Sequence, residues 1–148
     1  MEKPGVKQNW KQYDSDNDGL WTSMYGAGEC FAYAATGSIQ AKVRAKKAFD
    51  AMVFLGDVTQ GNKHSPPPGY VARTVLPTSG PDPNIGRIER DKHKKETDDT
   101  MWKIYEPRWP VSADGKWYYK TDTSSDELDG HYFLYALSYV VLLVAKMT

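Results

Sequence analysis

The strongest constraint on the fold is an apolar run close to the end of the chain. Between Tyr132 and Ala145 only Ser138 is plainly polar, so a helix over this run is apolar on every side and needs cover from other elements. At ~1.5 Å per residue the run spans about 21 Å, which is short of the roughly 30 Å hydrocarbon core of a bilayer. The run therefore predicts a buried core helix, and we expect no membrane partner.

An acidic stretch directly before this run predicts where the helix begins. It reads Asp-Thr-Ser-Ser-Asp-Glu-Leu-Asp-Gly-His from Asp122 to His131. Ser124 and Glu127 have the spacing of a capping box, in which each side chain accepts a hydrogen bond from the other residue's backbone N–H. We therefore predict a helix within residues 122–146, with its acidic side chains at the N-terminal end.

Three side chains of this stretch are candidates for catalysis. Asp126 and Asp129 are three residues apart and share one helix face, and His131 follows two positions later. Two neighbouring carboxyl groups whose pKa values are pushed apart can serve as the acid and base of glycosidic bond cleavage. The alternative interpretation is helix capping and compensation of the helix dipole, which accounts for Glu127 and Asp126 but less well for Asp129-Gly-His.

Residues 14–60 have the periodicity of two helices. Apolar residues recur at helical spacing over 20–35 and again over 41–55. Gly37 suits the left-handed position that ends a helix, and Ser38 can cap the next one, which should end at Gln60-Gly61. Because so few residues connect them, the two helices should be antiparallel neighbours.

The segment 61–121 loses the helical period and is rich in proline and glycine. A loop of this length in a compact domain is usually functional or disordered. Its charged part, residues 87–99, is expected to be a solvated tip. Asp114-Gly115 is the signal of a tight hairpin turn. The candidates for two or three short strands are Tyr70–Leu76, Met101–Tyr105 and the two flanks of the turn, Trp109–Val111 and Trp117–Tyr119, where Pro110 restricts the first flank to an edge or a very short strand.

Length and composition limit the class of protein. The chain has 148 residues, which suits one domain with one core. Together with the elements above, this predicts a mainly α (α+β) fold: an αα-hairpin, a buried C-terminal helix and a long loop with two or three short strands, preceded by a polar arm of residues 1–13. Basic and acidic residues balance, so we expect no nucleic-acid partner. The single cysteine, Cys30, excludes an internal disulfide, and the first residues lack the apolar run of a signal peptide.

A second acidic stretch precedes the first helix. Asp14, Asp16 and Asp18 alternate and are followed by a glycine, as at the start of a calcium-binding loop. The twelfth position of such a loop is normally a glutamate, but here it is Tyr25. We favour the alternative that Asp16 or Asp18 caps the helix while the others complement its dipole. We expect that no cofactor is required, and calcium is the candidate ion.

Arg73 lies between apolar neighbours in the first predicted strand. An arginine there could bind a carboxylate or phosphate group of a ligand through two hydrogen bonds. The favoured alternative is an ion pair with one of the loop aspartates. The strands should also bring Lys120 and Asp122 to the acidic end of the last helix.

Residues 16–37 and 117–131 resemble segments of large, mostly uncharacterised bacterial proteins built of αα-hairpins. The matching stretches are DNDGLWTSMYGAGECFAYAATG and WYYKTDTSSDELDGH. Those proteins are similar to the (α/α) toroids of six-hairpin glycosidases and polysaccharide lyases. The similarity extends from about residue 16 to residue 139.

The resemblance implies a sugar-binding funnel at the ends of the inner helices. Its acidic residues would be Asp16, Asp18, Asp126, Asp129 and His131, with Trp21, Trp117 and Tyr118 as stacking surfaces. A closed toroid has many more helices than this chain, so the chain is either part of a larger protein or closes its core as a homo-oligomer, which we expect.

The expected function is therefore to bind or cleave an oligosaccharide in an acidic, aromatic-lined cleft, with Arg73 and Asp122 as further substrate contacts. The alternative is a non-catalytic interaction or structural module whose acidic turns are either helix caps or a calcium site.

Overall fold

The computed structural model describes residues 16–143. Its elements in chain order are α1 (Asp18–Thr36), α2 (Ile39–Asp57), β1 (Val75–Pro77), α3 (Arg87–Thr97), β2 (Trp117–Tyr119) and α4 (Ser125–Ser138), and α4 continues as a π-helical turn over Tyr139–Leu143. The mainly helical α+β class is confirmed. The predicted arm, Asp14 and the end of the predicted last helix lie outside the described residues.

The predicted helical hairpin is confirmed as α1 and α2. Gly37 ends α1 with a left-handed φ of 68°, and the Ser38 hydroxyl accepts a hydrogen bond from the Ala41 amide at 3.3 Å. The N-cap of α1 is Asn17, which makes no side-chain cap bond, so the preferred caps Asp16 and Asp18 were wrong.

The second helix ends earlier than predicted. It stops at Asp57, where the Thr59 hydroxyl donates to the Gly56 carbonyl at 2.8 Å. This bond satisfies a carbonyl of the last turn that has no intrahelical partner.

Helices α1 and α4 run parallel and touch closely. Ser23 lies against Gly130, and further along the Cys30 sulfur lies 3.8 Å from the Ser138 hydroxyl. Residue numbers at the contacts therefore increase in the same direction along both helices. At Gly26 an added Cβ would come within 2.8 Å of Ala48 on α2. Small residues therefore allow the three helices to approach, and α1 and α4 begin at the same end of the bundle, here called the polar end.

The hydrophobic core lies between α1, α2 and α4 and extends to the sheet. Met52, Leu134 and Tyr119 are almost fully buried in it. The last helix, however, is not enclosed by the rest of the chain, contrary to the prediction of a helix buried on all sides. One side of it exposes Tyr132, Phe133, Tyr139 and Val140. No helix within residues 16–143 is long and apolar enough to cross a membrane.

The predicted strands are shorter than expected. β1 and β2 pair antiparallel with Val75 opposite Tyr119, and the strand predicted from Tyr70 begins only at Val75. Before that point the chain is held elsewhere, because the Ala72 amide donates to the Leu55 carbonyl at 2.7 Å.

Of the other two predicted strands, neither forms as such. Trp109–Val111 forms one bridge, from Val111 to Tyr118, and the Pro110 carbonyl accepts a hydrogen bond from the Tyr119 amide at 3.0 Å, beside the confirmed turn at Gly115. Met101–Tyr105 is not a strand, since the rings of Trp102 and Tyr105 both lie against the guanidinium group of Arg108.

Residues 87–97 form the helix α3, where the sequence predicted a solvated tip. Its one buried residue is Asp91, which pairs with Arg87 one turn earlier at 2.9 Å. A helix with a single buried position has no apolar stripe, so hydrophobic periodicity could not detect it.

Candidate functional site

A buried arginine organises the loop side of the polar end. Arg108 is 2% exposed, and its Nε donates to the Asp91 carboxylate at 2.7 Å. Its other two nitrogens pair with the Asp122 carboxylate and donate to the Lys103 carbonyl. These contacts compensate a buried charge that would otherwise be very costly. They also fix Asp122 in front of α4, as part of an ion-pair cluster.

The carboxyl group of Asp91 is stabilised as an anion. Burial by itself would raise its pKa, but hydrogen bonds from Arg108 and Trp102, together with the charges of Arg108 and Arg87, hold the pKa of Asp91 below its usual value. We call Asp91, Arg108 and Asp122 the paired cluster.

The acidic residues before α1 bind groups of the loop. Asp16 forms ion pairs with Lys120 and, at 3.7 Å, with Arg73. Arg73 also donates to the Asp16 carbonyl at 2.6 Å and to the Asp122 carbonyl at 3.2 Å. Asp18 accepts a hydrogen bond from Thr74. Arg73 thus takes the ion-pair role that the sequence favoured, and Lys120 reaches the polar end as predicted.

Within residues 16–143, no group of three or more His, Cys, Asp or Glu side chains is placed to hold a metal ion. Asp14 lies outside that range, so the calcium site stays a prediction.

Glu127 is fully buried and caps the start of α1, whereas the sequence predicted that it caps its own helix, α4. Its Oε2 accepts a hydrogen bond at 3.0 Å from the backbone N–H of Leu20, in the first turn of α1. Ser124 makes no cap bond, so the predicted capping box is wrong. The first N–H groups of any helix lack intrahelical partners. Because α1 begins beside α4, Glu127 satisfies one of them across the helix interface.

His131 lies one turn after Glu127 and is also buried. Its Nδ1 is 3.0 Å from the Tyr135 hydroxyl. Its Nε2 and the Oε1 of Glu127 have no hydrogen-bond partner within the described part of the chain. Gly19 makes room for both, because a Cβ there would collide with the Glu127 carboxylate and lie 3.4 Å from Nε2. We call Glu127 and His131 the unpaired cluster.

Burial moves both groups of the unpaired cluster towards their neutral forms. It raises the pKa of Glu127 above its ordinary value and lowers the pKa of His131 from 6.5 to about 4. The sequence predicted shifted pKa values for Asp126 and Asp129, as an acid and a base require. The structure has such shifts in Glu127 and His131. They are closed off from solvent, however, and cannot touch a substrate in this conformation.

Asp126, Asp129 and Trp21 lie on the outside of the polar end. Trp21 is 58% exposed, and both carboxylates are exposed. The Ser124 hydroxyl donates to Asp126 and lowers the pKa of that carboxyl.

The other two predicted stacking residues belong to β2. Trp117 packs edge-on against Phe54 of α2 with ring centroids 5.5 Å apart, and Tyr118 is half-buried opposite Leu76. The structure therefore does not bring these two rings to the exposed surface around Trp21.

A groove of about 850 Å³ lies between α2, the loop at 68–71 and the last helix. Its walls are mainly apolar and include Phe49, Val53 and Leu142. Two lysines at its edge are engaged elsewhere, Lys42 with Tyr33 and Lys46 with Asp50. The groove thus offers apolar surface instead of converging polar groups.

Sequence reasoning missed Asp91 and Arg108 entirely. A signal was present in the aromatic residues Trp102, Tyr105 and Trp109 around this arginine, since guanidinium groups stack on such rings. No protein-family model, no curated protein and no solved structure matches this chain. The site is therefore interpreted from its own geometry.

Proposed function

We propose that this chain binds an oligosaccharide on the outside of the polar end, between Trp21 of α1 and the carboxylates of Asp126 and Asp129 on α4. The observation that carries the proposal is the exposure of one aromatic ring and two acidic side chains at the first turns of two parallel helices. The helices touch there, because an added Cβ at Gly130 would lie 3.2 Å from the Cα of Leu20.

These side chains suit the chemistry of a sugar. The indole ring of Trp21 offers a flat apolar face for the C–H side of a pyranose ring. Asp126 and Asp129 are three residues apart on α4, so their Cβ atoms are roughly 5–6 Å apart. Ionised carboxylates accept strong hydrogen bonds, and neighbouring sugar hydroxyls are donors at a similar spacing.

The surface favours binding over cleavage. Glycosidic cleavage needs an acid whose pKa is raised, so that it still holds a proton near neutral pH. The hydrogen bond from Ser124 lowers the pKa of Asp126, which makes Asp126 an acceptor. The carboxyl with a raised pKa is Glu127, and it is buried. We therefore assign Asp126 and Asp129 the role of hydrogen-bond acceptors for substrate hydroxyls.

The test is calorimetric titration of the chain with a panel of neutral and acidic oligosaccharides. We expect one class to bind, and both Trp21→Ala and Asp129→Asn to weaken it at least about tenfold, because each removes a direct contact. Tyr139→Ala is the matched control, since it removes an exposed ring at the other end of α4 and should leave the affinity unchanged. An unchanged affinity in both site variants, or no binding by any sugar, would overturn the proposal.

A further inference from the structure

We propose that an exposed Pro-Pro-Gly-Tyr loop of this chain is bound by a partner domain with an aromatic-lined groove, of the WW type. The loop lies between α2 and β1 and reads Ser-Pro-Pro-Pro-Gly-Tyr over residues 65–70. We call it the proline loop. It shares no residue with the proposed sugar site, so the two proposals are independent.

The prolines restrict the backbone of the loop. Each proline holds its own φ at about −65°, and the residue before a proline is restricted to extended conformations. Ser65, Pro66 and Pro67 all precede a proline, so this stretch favours the polyproline II conformation. The peptide bonds before Pro66, Pro67 and Pro68 are trans, as that conformation requires. The stretch therefore loses little backbone freedom when a partner binds.

A β-turn joins the prolines to the tyrosine. The Tyr70 amide donates to the Pro67 carbonyl at 3.4 Å, and Gly69 has a left-handed φ of 98°. Proline at the second position and glycine at the third are typical of a type II turn. A β-turn holds the Cα atoms of its first and fourth residues within about 7 Å of each other. Pro67 and Tyr70 can therefore contact one partner at the same time.

The backbone of the loop is anchored, whereas the side chains that a partner would contact are exposed. The Gln60 amide donates to the Pro66 carbonyl at 3.4 Å, and the Thr59 hydroxyl donates to the Tyr70 carbonyl at 3.5 Å. Pro67 is exposed, and Tyr70 is 53% exposed. The Tyr70 hydroxyl makes no hydrogen bond within residues 16–143. A partner can therefore reach both the ring and the hydroxyl of this tyrosine.

The order of residues in the loop selects the kind of groove. Segments in the polyproline II conformation dock into grooves lined by aromatic rings, which pack against the proline rings. SH3 grooves take prolines three residues apart. The positions three residues after the prolines, 69 to 71, are glycine, tyrosine and valine, so the loop lacks that spacing.

A WW groove fits the loop better. Grooves of this class also bind polyproline II segments, and they suit two adjacent prolines with a tyrosine after one further residue. Pro67, Pro68 and Tyr70 have this order. The tyrosine adds a large apolar ring and a hydroxyl that can bond to the partner, and such residues dominate binding at interfaces.

The experiment is calorimetric titration of the whole chain with an isolated WW domain that binds Pro-Pro-x-Tyr peptides, at up to about 1 mM. We expect binding of one domain per chain, and we expect Tyr70→Ala and Pro67→Ala each to weaken it at least about tenfold. Both changes lie outside the helices, so the helical circular dichroism spectrum should stay the same.

The chain offers a matched control for each variant. Tyr25→Ala removes a ring that is also 53% exposed but lies on α1, and Pro81→Ala removes an exposed proline of another loop. Both controls should keep the native affinity for the WW domain. An SH3 domain that binds prolines three residues apart should not bind the native chain.

A linear peptide of residues 62–72 tests whether the fold presents the loop. Because the folded chain already holds the turn, it should bind the WW domain at least as tightly as the peptide does. A peptide that binds while the whole chain does not would show that the fold hides the loop, and this would overturn the proposal.

Three other results would also overturn it: no binding of the WW domain by the native chain, native affinity in both site variants, or equally tight binding of the SH3 domain. Sugar binding by Tyr70→Ala is measured separately, so failure of one proposal does not decide the other.

Discussion

Asp122 of the paired cluster and Glu127 of the unpaired cluster lie on the two sides of the start of α4, and the two clusters respond to burial in opposite ways. Asp91 is 1% exposed and Glu127 is 0% exposed, so the two carboxyls are equally removed from water. The pKa of Asp91 nevertheless lies below its usual value, and the pKa of Glu127 lies above it. The difference is Arg108, which is buried and donates a hydrogen bond to Asp91, whereas the cation near Glu127, Arg73, acts on that carboxyl only through its charge and does not outweigh burial. A buried cation therefore decides which form of a carboxyl the fold stabilises.

The largest expected effect comes from removing that cation. Arg108→Met leaves Asp122 without its side-chain partner and Asp91 with Arg87 as its remaining cation, and breaking a buried pair from one side costs about 3–5 kcal/mol. Urea unfolding measures the loss. Lys46→Met is the control, because it breaks an exposed pair with Asp50 and should cost less than about 1 kcal/mol.

If Arg108→Met fails to fold, the double variant with Asp91→Asn decides the matter. It removes one of the two carboxylates that lose Arg108, and it should regain part of the stability, as coupled partners do. A loss below about 1 kcal/mol in the single variant would mean that the paired cluster contributes little.

The unpaired cluster should make stability depend on pH. Below pH 6.5 the unfolded chain protonates His131, whereas the folded chain resists protonation until about pH 4. The contribution of neutral His131 is therefore complete above pH 6.5 and is lost as the pH falls towards 4, by at most about 3 kcal/mol.

The measurement is the free energy of unfolding of the native chain and of His131→Gln between pH 7 and pH 4. We expect a shallower slope in the variant. His93→Gln, a change at an exposed histidine of α3, should keep the native slope. Equal slopes in all three proteins would show that His131 is not the group responsible.

The contact between α1 and α4 shields the unpaired cluster from water, and Gly130 sets the distance between the two helices. A Cβ there would lie 2.6 Å from the Ser23 hydroxyl and 3.2 Å from the Leu20 backbone. Gly130→Ala should therefore destabilise by about 1–3 kcal/mol through overpacking, which exceeds the gain of up to about 1 kcal/mol from helix propensity.

Gly28→Ala tests the same substitution in open space, where it should stabilise the chain. In Gly130→Ala, water admitted between the helices should also raise the pKa of His131 towards its ordinary value, which NMR titration of the imidazole would detect. A stabilised Gly130→Ala with an unchanged imidazole pKa would show that the contact is not tight.

How much of the fold the sequence predicts depends on where the signal lies. The α1–α2 hairpin follows from local features, since the left-handed Gly37 and the cap of Ser38 act within a few residues of themselves. Helix α3 has no such feature, because its packing rests on Asp91 and on an arginine 17 residues away. Its stability is a tertiary effect that no local periodicity records.

The candidate site shows the same division. The pattern Ser-x-x-Glu favours a local cap, but the partner of Glu127 is Leu20, which is 107 residues away. The sequence predicted a cap for Glu127 and catalysis for Asp126 and Asp129, and it could not show which of the three carboxyls the fold buries. Folding separates them, because only Glu127 faces the first turn of α1.

The smallest predicted effect tests whether the lack of a hydrogen-bonded cation is what distinguishes Glu127 from Asp91. Because the pKa of Glu127 is raised, its contribution to stability is greatest below its ordinary value of 4.5 and is lost as the pH rises through the folded value. Glu127→Gln keeps an oxygen for the Leu20 amide and removes the ionisation. It should be slightly more stable than the native chain at pH 8 and should lose that advantage near pH 4.

Glu127→Ala supplies the contrast for this test. It removes the acceptor as well as the charge and should be less stable at both pH values, because the Leu20 N–H loses its partner. If Glu127→Gln were less stable than the native chain at pH 8, the carboxylate would be favoured as an anion even without a hydrogen-bonded cation. The amides of the first turn of α1, with the positive end of its dipole, would then stabilise Glu127 as Arg108 stabilises Asp91.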